Sequence, residues 1–277
     1  DGRPVQVELK DGDEVLATQE AVVHDTEHQH VELTFEAQEL IGGGLSLLAV
    51  GMVILPVGSR FWAPTLIGLG TVNVLYGAIS AMGQKDLKYV IGYSSVSHMG
   101  YVLMGLGTLD ILAVDGAVLQ MFSHGIMTAL FFAMVGIIYQ RTHSRDITIL
   151  EGLGKRMGIT GVFLAVAGLT SLGLPGFSSF VAELLIFIGT YRTYPILGVL
   201  AVIGAAITAV YILRMLGKVF FGPIDEDRWK DLTDATRLET GVAILLTGFL
   251  LLWGLYPFRI MEIIDSGVVP IMERLGS

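Results

Sequence analysis

Two histidines and a glutamate, His98, His124 and Glu183, sit inside stretches of this chain that are otherwise fit only for a lipid bilayer. An ionisable side chain at membrane depth costs roughly 2.5–3.5 kcal/mol by insertion scales, so it is rare and usually functional. Three of them in successive apolar segments read as a proton or ion path through protein. Each has its own motif: YSSVSHMGYVL around His98, LQMFSHGIM around His124 and SLGLPGFSSFVAELLIF around Glu183. Histidine takes and gives a proton near neutral pH. A desolvated carboxylate can hold a proton and release it when water or a cation arrives.

The spacing around each group supports this chemistry. Ser94 and Tyr101 fall at i−4 and i+3 of His98, on its helix face, and small Ser97 and Gly100 allow close approach of a neighbour. Gln120, His124 and Thr128, spaced by four, form one polar stripe on an otherwise apolar helix. Glu183 follows Pro175-Gly176 by two turns, and a helix broken there lines a cavity because its freed backbone groups need partners. Ser178 and Ser179 can satisfy some of those groups. The plainer readings are histidines that serve only as helix–helix glue and a glutamate that only caps the broken helix. Two histidines on adjacent helices favour the relay. Lys88 is the fourth relay candidate, although a lysine at a helix start also fits simple snorkelling to the interface.

The elements that must position these residues are membrane helices. The 277 residues are 53% hydrophobic and 16% charged, with mean hydropathy +0.68, which is membrane composition. There is no cysteine, which excludes disulfides, thiol catalysis and cysteine-ligated clusters or zinc. Neither a phosphate-binding glycine loop nor a dinucleotide fingerprint is present. Apolar spans at 41–57, 63–83, 89–108, 112–139, 158–189, 194–221 and 240–258 predict about seven transmembrane helices, each long enough for ~30 Å of hydrocarbon. The fifth is too long for one crossing and contains Gly173-Leu174-Pro175-Gly176, so it is expected to break at mid-membrane. Alternate links carry eleven and four Lys/Arg (Lys85 to Arg237 against Arg60, Arg192, Arg259 and Arg274). The positive-inside rule therefore places the 83–89, 139–158 and 214–240 links in the cytoplasm.

Residues 1–40 differ from the rest. They hold eleven Asp/Glu against Arg3 and Lys10, the whole net charge of −9, while the remainder is neutral. Alternation at Val5, Val7 and Leu9 and at Val31, Leu33 and Phe35 predicts strands, with a turn at Lys10-Asp11-Gly12-Asp13. The division is thus an acidic, β-patterned soluble segment at 1–40 and a helical membrane domain at 41–277. His24, His28 and His30 raise a metal site, but a solvated acidic loop is the better reading. The chain starts at Asp1 without a signal peptide or lipidation motif, as a processed or cut piece would.

KDLKYVIGYSSVSHMGYVLMGLG, GAVLQMFSHGIMTALFF, YQRTHSRDI with GLGKRM, SLGLPGFSSFVAELLIFIG and YILRMLGKVFFGP together resemble the antiporter-like subunits of respiratory complex I. The subunit M type of proton-pumping NADH:quinone oxidoreductase is the nearest class. The resemblance covers about 41–277 and implies proton translocation rather than redox chemistry. NADH, FMN, iron–sulfur clusters and quinone would belong to other subunits, and this chain would hold no cofactor. It implies that Glu183 is the acidic residue of the broken helix and that His98 and His124 form the connecting path. It also implies a place in a bacterial inner (plasma) membrane, with other membrane subunits of complex I and lipid as partners and no nucleic acid. Glutamate rather than lysine at 183 favours subunit M over subunit N and over the corresponding Mrp antiporter subunit.

The chain departs from the family in three ways. It corresponds to the last seven of about fourteen helices. Glu39 stands where the family places a lysine, and Ala49 where it places an arginine. The upstream input of the relay is therefore missing, and the chain alone is not expected to complete pumping. The alternatives are an Mrp-type cation/proton antiporter subunit and a non-conducting structural subunit.

Overall fold

The computed structural model describes residues 3–11, 14–23, 56–230 and 232–275. Residues 41–55 of the expected span, the expected strand at Val31, Leu33 and Phe35, Glu39, Ala49 and the histidines at 24, 28 and 30 lie outside the described residues, while residues 56–62, expected as the end of that span and a link, are helical. Two compact units, 1–44 and 45–277, are described separately. In the first, β1 (Arg3–Asp11) and β2 (Glu14–Val23) pair antiparallel, Arg3 opposite Val23 and Asp11 opposite Glu14.

The second unit is helical. Its elements are α1 (Pro56–Gly83), α2 (Leu87–Thr108), α3 (Ile111–Thr142), α4 (Gly158–Ser171), α5 (Ser178–Thr193), α6 (Pro195–Phe220), α7 (Arg237–Leu255) and α8 (Phe258–Leu275). A one-turn helix, Glu226–Trp229, lies in the link between α6 and α7. Among the described residues, α1, α3, α6 and α7 are long and apolar enough to cross a membrane. Helix α2 is long but carries the polar run Tyr93 to Tyr101, while α4 and α5 are the two halves of an interrupted helix.

Small residues, not bulk hydrophobicity, bring the helices together, as they must where lipid is as apolar as leucine. A Cβ on Gly100 would lie 2.7 Å from the Gly70 carbonyl oxygen, and one on Gly77 2.6 Å from the Ser97 amide nitrogen, so α1 and α2 touch backbone to backbone. On α3, a Cβ at Gly116 would lie 2.7 Å from the Ala182 carbonyl oxygen of α5. Gly254 seats the end of α7 directly on the backbone of Gly176 and Phe177, so α7 braces the interruption. Large apolar side chains such as Val72, Val199, Val210, Leu245 and Leu252 point outward and are exposed, as lipid-facing groups are.

Polar contacts tie the ends that carry the basic links. Asp86 caps α2 through the Lys88 amide and pairs with Arg145 at 3.1 Å. The Leu87 amide donates to the Arg145 carbonyl, and the Ile147 amide to that of Lys85. Arg141 at the end of α3 holds Glu239 at the start of α7 at 3.0 Å. Asp234 reaches the start of α4, accepting from the Ile159 and Thr160 amides at 2.7 and 3.1 Å and from the Thr160 hydroxyl at 2.7 Å.

Helix α8 departs from the sequence expectation, in which its span is a tail. Its buried residues Ile260, Ile264, Val268 and Met272 repeat every four and lie against α3. The charged residues between them, with Pro270 inside, mask this stripe.

Single cysteines at Thr148 and Arg192, both exposed, should be labelled by an impermeant thiol reagent from opposite sides of the membrane; same-side labelling would contradict the charge-based orientation. For Asp234, burial raises the carboxyl's proton affinity, but the bonds from Thr160, Ala235 and Ile159 outweigh it and hold the group below the ordinary aspartate value. Its contribution is therefore fully present above the ordinary aspartate range near ~4 and is lost as pH falls through its own lower value. Asp234→Ala should cost about 0.5–2 kcal/mol, the range for a lost helix cap, read as a lowered unfolding midpoint at pH 7 that converges on the parent in acid.

Candidate functional site

The interruption of α4 and α5 generates the site. Gly173 and Gly176 adopt φ of +64° and +107°, a backbone region that disfavours side chains, and Pro175 lies between them. The helix therefore stops at Ser171 and restarts at Ser178, with Pro175 and Gly176 in the turn. The Ser171 carbonyl, freed from its helical bond, accepts from His98 Nε2 at 3.1 Å. His98 Nδ1 lies 2.8 Å from the Ser94 carbonyl, so α2's own backbone fixes the other side of the ring. His98 is fully buried.

Ser171 gives His98 a partner in each protonation state. As imidazolium, the ring donates to the Ser94 and Ser171 carbonyls together. As neutral imidazole with Nδ1–H, it keeps the first bond, and Nε2 accepts from the Ser171 hydroxyl, 3.4 Å away. A proton can thus arrive and leave with little rearrangement.

Glu183 and His124 complete the cluster. Glu183 Oε1 lies 3.6 Å from His98 Nε2 and accepts from Gln120 Nε2 at 3.4 Å. A Cβ on Gly173 would fall 2.6 Å from Glu183 Oε2, so the glycine of the turn also makes room for the carboxylate. The His98 and His124 rings stack, with centroids 5.3 Å apart and planes 27° from parallel. Stacked rings share no direct hydrogen bond, so a proton passing between them needs a bridging group. His124 Nδ1 and Gln120 Oε1 are buried with no protein partner among the described residues. Buried polar atoms of this kind are met by water in protein interiors.

The structure does not bring every candidate to this cluster. Thr128 spends its hydroxyl on the His124 carbonyl at 2.7 Å, inside its own helix. Lys88 is at the first turn of α2, ten residues and about 15 Å of helix rise from His98. Ser178 and Ser179 do not serve the backbone of the break; their hydroxyls bond Ser123 of α3. Ser94 contributes its hydroxyl as well as its carbonyl, accepting from Tyr211 at 2.7 Å and facing the Ser171 hydroxyl at 3.3 Å.

Sequence reasoning misses Ser171, Ser123 and Tyr211 as site residues. All three lie within the family-like motifs, but a serine or tyrosine in an apolar helix gives no local sign of its partner. Tyr211 is recruited from α6, 117 residues from Ser94.

The family described as NADH:quinone oxidoreductase/Mrp antiporter, TM, matches residues 39–208. The chain belongs to this family. It is 40% identical over 243 residues to NAD(P)H-quinone oxidoreductase chain 4 1 of Synechococcus elongatus, covering 85% of this chain and 45% of that one. Chain 4 of Prochlorococcus marinus is 41% identical over 241 residues, covering 84% and 43%. The chain thus spans about half the length of the curated relatives it matches.

Among solved structures, respiratory complex I from Thermus thermophilus matches with TM-score 0.72 and 28% identity, over 79% of this chain and 45% of that chain. The Mrp complex from Dietzia sp. matches with TM-score 0.73 and 19% identity, over 83% and 51%, a likeness of fold alone. The family is one of transmembrane proteins, so the cluster lies in a membrane domain.

Ser171→Ala tests the two-state role of Ser171. It keeps the carbonyl but removes the hydroxyl, one hydrogen bond worth about 0.5–1.5 kcal/mol. Proton exchange at the His98 ring in the full chain should slow by up to about tenfold with the fold unchanged; an unchanged rate would show that the hydroxyl takes no part.

Proposed function

We propose that this chain is the C-terminal half of a proton-translocating, antiporter-like subunit of a quinone oxidoreductase complex, of the subunit M type. The carrying observation is the buried convergence of Glu183 and His124 on His98, which bonds the carbonyl freed by the helix break. Protons move among Glu183, His98 and His124, with Gln120, Ser94 and Ser171 holding the groups in place. Lys88 serves as the group at the basic-link end of the path, reached through intervening water.

The membrane domain, 41–277, has seven crossings in this reading: the 41–57 segment, α1, α2, α3, α4 with α5, α6 and α7. The acidic 1–40 segment is a separate soluble appendage. The activity belongs to the assembled enzyme. NADH, flavin, iron–sulfur clusters and quinone are handled by other subunits, and the bacterial inner membrane is the setting.

The fold shared with the Mrp complex supports a second reading, a cation/proton antiporter subunit. Copurification with quinone oxidoreductase subunits would favour the first reading, and with Mrp subunits the second.

In the assembled complex, Glu183→Gln should fold and assemble, since volume and the Gln120 contact survive, but lose coupled proton transfer. Glu183→Asp should retain part of it. His98→Ala or His124→Ala should lower the rate by up to ~10²–10⁴, the usual worth of a proton-transfer group. Parent pumping rates in all of these variants would leave a structural, non-conducting subunit as the answer.

A further inference from the structure

Helix α8 brings a second acidic group to the bundle. Asp115, in the second turn of α3, is only 3% exposed, yet its Oδ1 has no hydrogen-bond partner among the described residues. Among the described residues, the charged groups near it are Asp265, from α8, and Asp110, which caps α3, and neither is basic. Asp265 lies within hydrogen-bonding reach of Asp115 and is itself exposed. Ionised carboxylates only accept hydrogen bonds, so two of them can bond each other only when one carries a proton. Like charges facing each other without a cation also favour keeping one proton.

The position of the pair connects it to the site above. Gly116, the next residue on α3, packs on the Ala182 carbonyl and the Ile186 amide of α5, either side of Glu183. Gln120, which donates to Glu183, is five residues beyond Asp115 along α3, about 7.5 Å of rise. Asp115 thus stands between the Glu183 cluster and the end of the bundle opposite the basic links, and Asp265 stands between Asp115 and solvent.

We propose that Asp115 and Asp265 form a shared-proton carboxyl pair through which protons pass between the Glu183 cluster and the membrane face opposite the basic links. The inference rests on the proton-translocating reading given above. At rest the pair holds one proton. A hydronium arriving from the interior breaks one of its O–H bonds, forms one on Asp115 and is left as water. Asp265 then gives a proton to outside water, and the pair returns to one proton. The negative charge of Asp110 keeps the pair from losing its last proton, and the exposed member opens to solvent. Helix α8 is in this view part of the path, seated on α3 by Ile260, Ile264 and Val268 so that Asp265 meets Asp115.

The test has a spectroscopic and a functional arm. Infrared spectra of the full chain in nanodiscs at neutral pH should show a protonated-carboxyl C=O band. That band should weaken in Asp115→Asn and in Asp265→Asn but not in Asp225→Asn, which removes an unrelated exposed aspartate. Asp265 is exposed, so its variant should fold even if the Asp115 variant does not. In the assembled complex, Asp265→Asn should slow pumping toward the low end of the ~10²–10⁴-fold range for a lost proton-transfer group. A band unchanged by both Asn variants overturns the pair. A band that responds while Asp265→Asn pumps at the parent rate overturns its role in the path. Parent-rate pumping by Glu183→Gln would instead count against the translocating reading, while the infrared arm still decides the pair.

Discussion

A carbonyl that loses its helical partner inside a membrane must find another, and the Ser171 carbonyl finds His98 Nε2 at 3.1 Å. Much of the site depends on that bond. It fixes the imidazole from one side while the Ser94 carbonyl fixes it from the other. It places His98 within 3.6 Å of Glu183, on the half-helix that restarts after the same break. An unsatisfied backbone group in hydrocarbon would cost several kcal/mol, so the break and the histidine support each other. The interruption both opens the helix and supplies the group that orients the residue beside it.

The surroundings keep that arrangement in register. Two apolar clusters flank the polar groups along the helices. One contains Ile91, Phe131, Leu164 and Met215, and the other contains Ile67, Tyr101, Met104 and Ile186. On α2, His98 lies between Ile91 and Tyr101; on α6, Thr208 lies between Ala201 and Met215. Gly70, Gly77, Gly100 and Gly116 let backbones touch, and Gly254 presses α7 onto the break. Side chains at these points would push the helices apart by more than the tenths of an ångström that separate a hydrogen bond from a mere contact. The precision of a polar layer in a membrane thus rests on residues with no chemistry of their own.

The clamps at the basic-link ends work on the same elements from outside. Asp86, Arg145, Arg141, Glu239 and Asp234 join the starts of α2, α4 and α7 to the end of α3 and the links around it. Because Asp234 holds the first turn of α4, both ends of that short half-helix are fixed, one by a carboxylate and one by His98. A half-helix of 14 residues anchored at both ends can present its last carbonyl reproducibly.

The sequence by itself determined what a local signal can carry. Burying charge in hydrocarbon is expensive, so His98, His124 and Glu183 stand out against their apolar neighbours in the chain. Gly173, Pro175 and Gly176 announce the break because few other residues tolerate such a turn, and the Lys/Arg alternation gives an orientation. The tertiary structure decided which of these groups meet. It stacked His124 on His98, kept Thr128 within its own helix and left Lys88 about 15 Å of helix rise away. It also recruited Ser171, Tyr211 and Ser123, and it turned a charged tail into α8 with Asp265 facing Asp115. Periodicity reports which side of a helix is apolar, but not which helix lies against it. That choice is made by close packing among small residues and by the pairing of buried polar groups, both of which exist only once the chain has folded.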